Sequence, residues 1–402
     1  MAALLLVALA GIVGGASAQP GKADSYQAVA LYAEAMSLIH DRYVDELSWT
    51  KMVRDGIRGA IHGLDGDSTV RAPSPSADRA RSVPAGAGDV GLALTRRDGG
   101  LTVIAARDGM PAQAAGIRSG DRILTLDGEA VGTIGPDAAA RRLRGQPGSQ
   151  VKLTVIRSGW AEPKPFPLTR VNPPATAPSD RPLKDGILYV RLPRLDDTAA
   201  GDLTHLLATT PADQATGLVL DLRDTVDGRI EAVPAIASLF LDPGCVIARV
   251  ESRASRSPQA LTTTTGAVRW KRPLAILVSG GTTSAAEVLA GAMQDTRRAV
   301  VVGSRTFGDA ATQSAIPLSD GSTLSLTTAR YLTPERHPIT GHGIAPDVVG
   351  TAPSPGAAPG TDPELELAFE VVKAAGILER GARGGDGSAP IEATLGQCEA
   401  AA

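Results

Sequence analysis

Residues 274–334 read LAILVSGGTTSAAEVLAGAMQDTRRAVVVGSRTFGDAATQSAIPLSDGSTLSLTTARYLTP, and the first thirty of them decide the fold. Leu274 to Val278 is an apolar run of strand length, bounded by a Gly-Gly-Thr-Thr turn. Ser284 then opens a stretch from Ala285 to Asp295 with helical spacing, and Ala299 to Val302 is a second apolar run. Ser284 with Glu287 is an S-x-x-E capping box, which marks a helix start and is worth about 1 kcal/mol to it. A buried strand, a helix and a second buried strand make a crossover unit, so the two strands lie parallel.

Further apolar runs, Ile187 to Leu192, Leu218 to Leu222 and Val246 to Val250, alternate with helical patterns at Thr198 to Ala208 and Ile230 to Leu241. The expectation is an α/β core over 187–350 with a largely parallel sheet. A Pro/Gly/Ala spacer at 351–361 leads to a helix, Pro363 to Ala375, so 351–402 reads as a C-terminal helix and a flexible tail.

Upstream, 88–171 is a small β-rich module with strands at Leu101 to Ala105, Arg122 to Leu126 and Val151 to Ile156. Two short helices are expected in it, at Pro111 to Ala115 and Asp137 to Leu143. Segments 69–87 and 172–186, rich in Pro, Ser and Ala, read as linkers. Over 25–68 the apolar residues Val29, Tyr32, Ala33, Met36 and Ile39, then Met52, Ile57 and Ile61, recur at helical intervals and predict two amphipathic helices. Residues 1–18 are an apolar stretch ending in Ala16-Ser17-Ala18, the pattern of a cleavable signal peptide, which predicts an exported protein, periplasmic or secreted.

The chain has 402 residues, a net charge of -3 and a pI near 6.0, so it offers no basic field for nucleic acid. Beyond the leader no stretch approaches the roughly 20 apolar residues that cross a bilayer. Cys245 and Cys398 are permitted to pair in an oxidising compartment but have no metal-ligand spacing. His40, His62, His205, His337 and His342 are scattered without a zinc pattern, so neither a metal nor another cofactor is expected.

Several stretches together resemble the C-terminal processing (tail-specific) serine peptidases: 274–334, GHGIAPD (341–347), GLVLDLRDTVDG (217–228), and the lead-in YVDEL (43–47) with GLDGDS (63–68). The middle module is similar to a PDZ domain, through VGLAL (90–94), DGMPAQAAGIRSGDRILTLDGEAV (108–131) and LRGQPGSQVKLTVIR (143–157). The resemblance implies an N-terminal helical segment, an inserted PDZ domain and a layered, crotonase-like α/β peptidase core. It also implies that the PDZ domain takes a polypeptide C-terminus as an added strand. Backbone N–H groups near Gly91, Leu92, Ala93 and Leu94 would hold the carboxylate. Ala93 stands where a second glycine is common, which would weaken that cradle if the position needs positive φ.

By the same resemblance Ser284 is the nucleophile, with Gly228 and Ala285 supplying oxyanion N–H groups. The family's base is a lysine 25 residues beyond the serine, with a glutamine four residues later that orients the amine. Here those positions are Asp309 and Gln313. A carboxylate of ordinary pKa, near 4, is a poor base toward an alcohol, and its charge opposes the forming oxyanion. Lys152, Lys164 and Lys271 do not fit the missing position. The family's LRxNPGG loop survives only as Leu222-Arg223-Asp224-Thr225-Val226-Asp227-Gly228, which sets the Asp227 side chain beside the carbonyl position. Asp221 and Asp224 are read as turn caps and His342 as a surface side chain. Two functions follow from the resemblance: a C-terminal processing endopeptidase impaired at its base, or a non-catalytic binder of peptide ends. The latter would scaffold or regulate a related peptidase, or pair with another copy of itself.

Overall fold

The computed structural model describes residues 20–65, 68–71, 87–132, 134–174, 177–209, 215–255, 257–264, 270–350, 362–384 and 398. The leader, most of the 69–87 segment and the 351–361 spacer lie outside the described residues. The chain divides into two compact units, residues 1–63 and 64–402. In the first, α1 (Pro20–Arg42) and α2 (Trp49–His62) are the two expected helices. Among the described residues no helix is long and apolar enough to cross a membrane.

The second unit opens with β1 (Thr69–Arg71), which the sequence had assigned to a linker. The PDZ module follows as β2 (Leu92–Arg97), β3 (Gly100–Ala106), α3 (Pro111–Ala114), β4 (Arg122–Leu126), β5 (Glu129–Ala130), α4 (Pro136–Leu143), β6 (Gln150–Ile156) and β7 (Lys164–Thr169). Its sheet order is β2-β3-β4-β6-β7, and its core includes Val90, Leu101, Val103, Ile123, Leu143 and Leu153. Aliphatic side chains of these strands meet Ala139 and Leu143 of α4 there.

The core continues as β8 (Ser179–Pro182), β9 (Ile187–Arg191), β10 (Arg194–Leu195), α5 (Ala199–Thr209), β11 (Gly217–Asp221), β12 (Asp227–Gly228), α6 (Val233–Ala237), β13 (Val246–Ser252), β14 (Gln259–Thr262), β15 (Leu274–Val278), α7 (Ala285–Asp295), β16 (Val300–Gly303), β17 (Ala311–Pro317), β18 (Thr323–Leu332), β19 (Val348–Val349) and α8 (Pro363–Gly384). The main sheet runs β19-β16-β15-β11-β9-β8 and is parallel apart from the β8–β9 edge pair. Its central strands β11 and β15 are buried at every position, the pattern of a parallel sheet covered on both faces. Leu220, Ile276 and Val278 face α5, α6 and α7, while Val219, Ala275 and Leu277 pack under Phe369 and Val372 of α8.

Three expectations are corrected. The 172–186 linker contains β8, an edge strand, where Pro182 is tolerated because edge N–H groups need no ladder partner. Val246 to Val250 belongs not to the parallel sheet but to a second, antiparallel one built from β1, β18, β13, β14 and β17. Ile230 to Leu241 is not one helix: a 3-10 turn at Ile230–Ala232 precedes the short α6, with Pro234 in its first turn. Cys245 and Cys398 are joined in a disulfide that fastens the C-terminal segment to the start of β13.

Candidate active site and peptide groove

Three loops converge at the C-terminal ends of β11, β15 and β16. The turn after β15 is stitched to the loop after β11: the Thr282 hydroxyl donates to the Leu222 carbonyl at 2.8 Å and the Thr283 N–H to the Thr225 carbonyl at 3.1 Å. The Phe307 N–H donates to the Thr282 carbonyl at 3.0 Å, which brings in the loop after β16. Gly281 is sterically favoured, since a Cβ there would lie 2.1 Å from the Asp224 Oδ1 and 2.9 Å from the Ala105 Cβ, and one of them would have to shift.

Ser284 caps α7 with φ 54° and ψ −118°, a conformation an L-residue adopts only under strain of about 1–3 kcal/mol. Nothing in the sequence signalled that strain. Its side chain is half-buried, at the mouth of a helix whose first N–H groups and dipole favour negative charge. The expected capping box is present, but its glutamate does more than cap. Glu287 is fully buried, and its carboxylate collects four donors. Oε2 accepts the N–H of Ser284 at 3.1 Å and the N–H of Asp309 at 2.8 Å, while Oε1 accepts the N–H of Gly308 at 2.7 Å and the Thr306 hydroxyl. One side chain thereby ties Ser284, the candidate nucleophile, to position 309. Burial pushes the Glu287 pKa up to about 7, against the opposing pull of those four hydrogen bonds.

All four donors are backbone N–H groups or the Thr306 hydroxyl, so Glu287 is bonded to the Ser284 backbone and not to its hydroxyl. Position 309 holds a half-buried carboxylate, not an amine. Lys152 and Lys164 stand on PDZ strands, with Lys164 over the Trp160 ring, and Lys271 is exposed ahead of β15. Gln313 is exposed on β17 and donates to the Thr327 hydroxyl, so in this structure it is a strand-pairing residue.

Gly228 and Ala285 are adjacent: a Cβ at Gly228 would lie 3.2 Å from that of Ala285 and 3.0 Å from the Leu195 carbonyl. Asp227, expected beside the carbonyl position, is instead held by the PDZ module. Arg107 grips it with two bonds of 2.9 and 3.0 Å. Further bonds join the same surfaces, from the Ser119 hydroxyl to the Gly280 carbonyl at 2.7 Å and from Arg191 to Asp108 at 2.8 Å. Arg97 lies over the Phe307 ring at 4.8 Å. The PDZ module is thus docked against all three loops of the centre. Asp221 caps the turn as expected, its Oδ1 accepting the Arg223 N–H at 2.9 Å, and it is also a buried partner of the Arg223 guanidinium at 2.7 Å and of the Tyr189 hydroxyl at 2.9 Å, while Arg223 binds Asp362 at 2.8 Å. Asp224 is half-buried, accepting the Ser279 hydroxyl at 3.0 Å, and desolvation raises its pKa. His342 is exposed, as expected.

In the PDZ module β2 is the edge strand and α4 packs beside it, the geometry in which an extended peptide can be added to a sheet edge. Leu92, Ala93 and Leu94 lie in β2 itself rather than in the preceding loop, paired with Ala106, Ala105 and Val103. Ala93 has no positive φ, so the concern about an alanine there falls away. The position that needs glycine is Gly91, with φ 82° and a Cβ site 2.2 Å from the Met110 Cβ. Asp89 accepts the N–H groups of Val90 at 2.6 Å and Gly91 at 3.0 Å through one oxygen, and its other oxygen takes Arg144 at 3.2 Å. Asp89 was not among the residues the sequence singled out.

A serine in strained backbone at a helix mouth, adjacent oxyanion candidates and a docked PDZ edge define a serine-peptidase-type core with a peptide-recognition domain. The sequence profile described as Peptidase family S41 matches residues 186–349, and that of the PDZ domain matches 88–162. A carboxyl-terminal-processing protease of Synechocystis is 37% identical over 257 residues, covering 63% of this chain and 60% of that protein. The chloroplastic C-terminal processing peptidase of Tetradesmus obliquus is 31% identical, over 83% of this chain and 79% of that one. The solved structure of a photosystem II D1 C-terminal processing protease superposes with a TM-score of 0.68 at 28% identity, over 86% of this chain and 97% of that one. The chain belongs to the carboxyl-terminal processing peptidase family.

Proposed function

We propose that this protein is an exported member of the family that captures polypeptide C-termini on its PDZ edge strand and is impaired in cutting them. One observation carries the reading: the slot tied to Ser284 through Glu287 holds Asp309, a carboxylate, where the reaction needs a neutral amine. The Ser284 hydroxyl then lacks the family's amine base, because a carboxylate is a poor base toward an alcohol and Glu287 is bonded to the Ser284 N–H and not to its hydroxyl. Among the described residues the outer edge of β2, beside α4, has no strand partner, which supports peptide capture, and the names of the relatives agree with a C-terminal substrate. The apolar leader and the Cys245–Cys398 disulfide both favour an oxidising, exported setting, periplasmic or secreted.

The test is to incubate the purified chain with an unfolded polypeptide ending in apolar residues, alongside Ser284→Ala and Asp309→Lys. The unmodified chain and Ser284→Ala should cleave at the same negligible rate, and Asp309→Lys should gain cleavage that a further Ser284→Ala change removes. In calorimetry a peptide with a free carboxylate should bind, and its amidated twin should not. Robust Ser284-dependent cleavage by the unmodified chain would overturn the proposed impairment, and indifference to amidation would overturn PDZ capture.

A further inference from the structure

We propose that Arg97 makes the PDZ edge selective for polypeptide ends with an acidic residue three positions before the last, an inference that rests on the peptide capture proposed above. β2 ends at Arg97, and its side chains alternate between the two faces of the sheet. Leu92, Leu94 and Arg96 pair with Ala106, Val103 and Leu101, which belong to the PDZ core, so they share the face that packs against α4. Ala93, Thr95 and Arg97 take the other face, which is turned to the peptidase loops. Ala105, the strand partner of Ala93, has its Cβ 2.9 Å from where a Cβ on Gly281 would lie, and Arg97 lies over the Phe307 ring at 4.8 Å.

A peptide added antiparallel to β2 puts each residue on the face of the β2 residue opposite it. With its carboxylate on the N–H groups of Leu92 and Ala93, its last residue stands opposite Leu94 and joins the apolar cluster of Leu92, Leu94, Ile134 and Leu143. The residue three before it then stands opposite Arg97, on the face turned to Phe307. Two observations favour Arg97 as the reader of that residue. Its neighbour Arg96 is spent on three carbonyls, those of Gly99 at 3.0 Å, Gly132 at 3.1 Å and Ile134 at 2.7 Å. Arg97 is exposed, and among the described residues no carboxylate pairs with it. The Phe307 ring holds its guanidinium by the face, which orients the side chain before a ligand arrives and leaves the N–H edge for a carboxylate.

The test measures, by calorimetry on the full chain, three peptides that share an apolar C-terminal residue and carry glutamate, glutamine or lysine three positions before it, each with an amidated twin. The glutamate peptide should bind about two- to fivefold tighter than the glutamine peptide, the range of an exposed ion pair, and the lysine peptide should bind most weakly. High salt should shrink these differences. Arg97→Gln should erase the preference, Arg97→Glu should reverse it and Arg97→Lys should keep it, all with an unchanged melting temperature at this exposed position. A glutamate preference that survives Arg97→Gln, or three equal affinities that amidation still abolishes, would overturn the assignment of Arg97 and leave the capture standing. Binding by none of the peptides, or binding indifferent to amidation, would overturn the capture and the assignment with it.

Discussion

Glu287 makes the stability of this protein depend on pH in a direction opposite to that of most carboxylates. The side chain is fully buried, and its pKa moves from 4.5 in the unfolded chain to about 7 in the fold. Between those values the folded state holds a proton that the unfolded state has released, so stability falls as pH rises through the window and levels off above about 7. A shift of this size corresponds to about 3 kcal/mol from one group, at 1.36 kcal/mol for each unit. Asp224 and Glu364 also have raised pKa values, both through burial, so the slope has to be isolated by difference. The assay is urea unfolding followed by tryptophan fluorescence, at several pH values from about 5 to 8, on the unmodified chain and on Glu287→Gln. The substituted protein should be less stable throughout, because one amide oxygen cannot satisfy four donors, and it should have lost most of the slope between pH 5 and 7. Equal slopes in the two proteins, or an unmodified chain that gains stability from pH 5 to 7, would refute the reasoning.

The Arg107–Asp227 pair spans the PDZ module and the oxyanion loop with both partners partly exposed, at 28% and 52%. A double-mutant cycle with Arg107→Ala and Asp227→Ala should give a coupling of about 1 kcal/mol or less that fades in high salt. A large salt-independent coupling would contradict that geometry. Gly281→Ala should cost about 1–3 kcal/mol of thermal stability, because the added methyl meets Asp224 and Ala105 on either side, and a neutral result would mean that the three-loop junction is looser than described. Cys398→Ser should lower unfolding stability by about 2–5 kcal/mol under oxidising conditions and leave the reduced protein unchanged. Identical melting with and without reductant would show that the disulfide does not form.

What could be read from the residues followed from how local the determinants were. The strand, turn and helix of 274–295 were legible because the apolar run, the glycines and the capping box are contiguous. The antiparallel sheet was not. The exposure of β18 is mostly intermediate and gives little contrast between its faces, so no period-2 apolar signal marks it. The pairing of β1 with β18 joins residues more than 250 positions apart, through backbone groups that leave no trace in side-chain pattern. The same distance hid the direction of Asp227. In sequence it stands beside Gly228, the candidate oxyanion glycine, and only the fold shows that Arg107 claims it.

The bonding at position 309 explains how the loop keeps its shape with an aspartate there. Glu287 holds residues 284, 308 and 309 through their backbone N–H groups, which every residue but proline supplies. The loop is therefore indifferent, as far as these bonds go, to the side chain that 309 carries. A lysine put back there meets the same anchored backbone beside the same strained serine. Its amine, placed close to a buried carboxylate, would gain a favourable charge partner that opposes the neutral form a base requires. The balance depends on pH, because Glu287 is itself half-protonated near 7. Cleavage by Asp309→Lys should therefore rise with pH well above neutrality, as the amine gives up its proton, rather than peak near 7. A rate from the lysine variant that is flat from pH 6 to 10 would mean that the amine is not the base, even if the chain cuts.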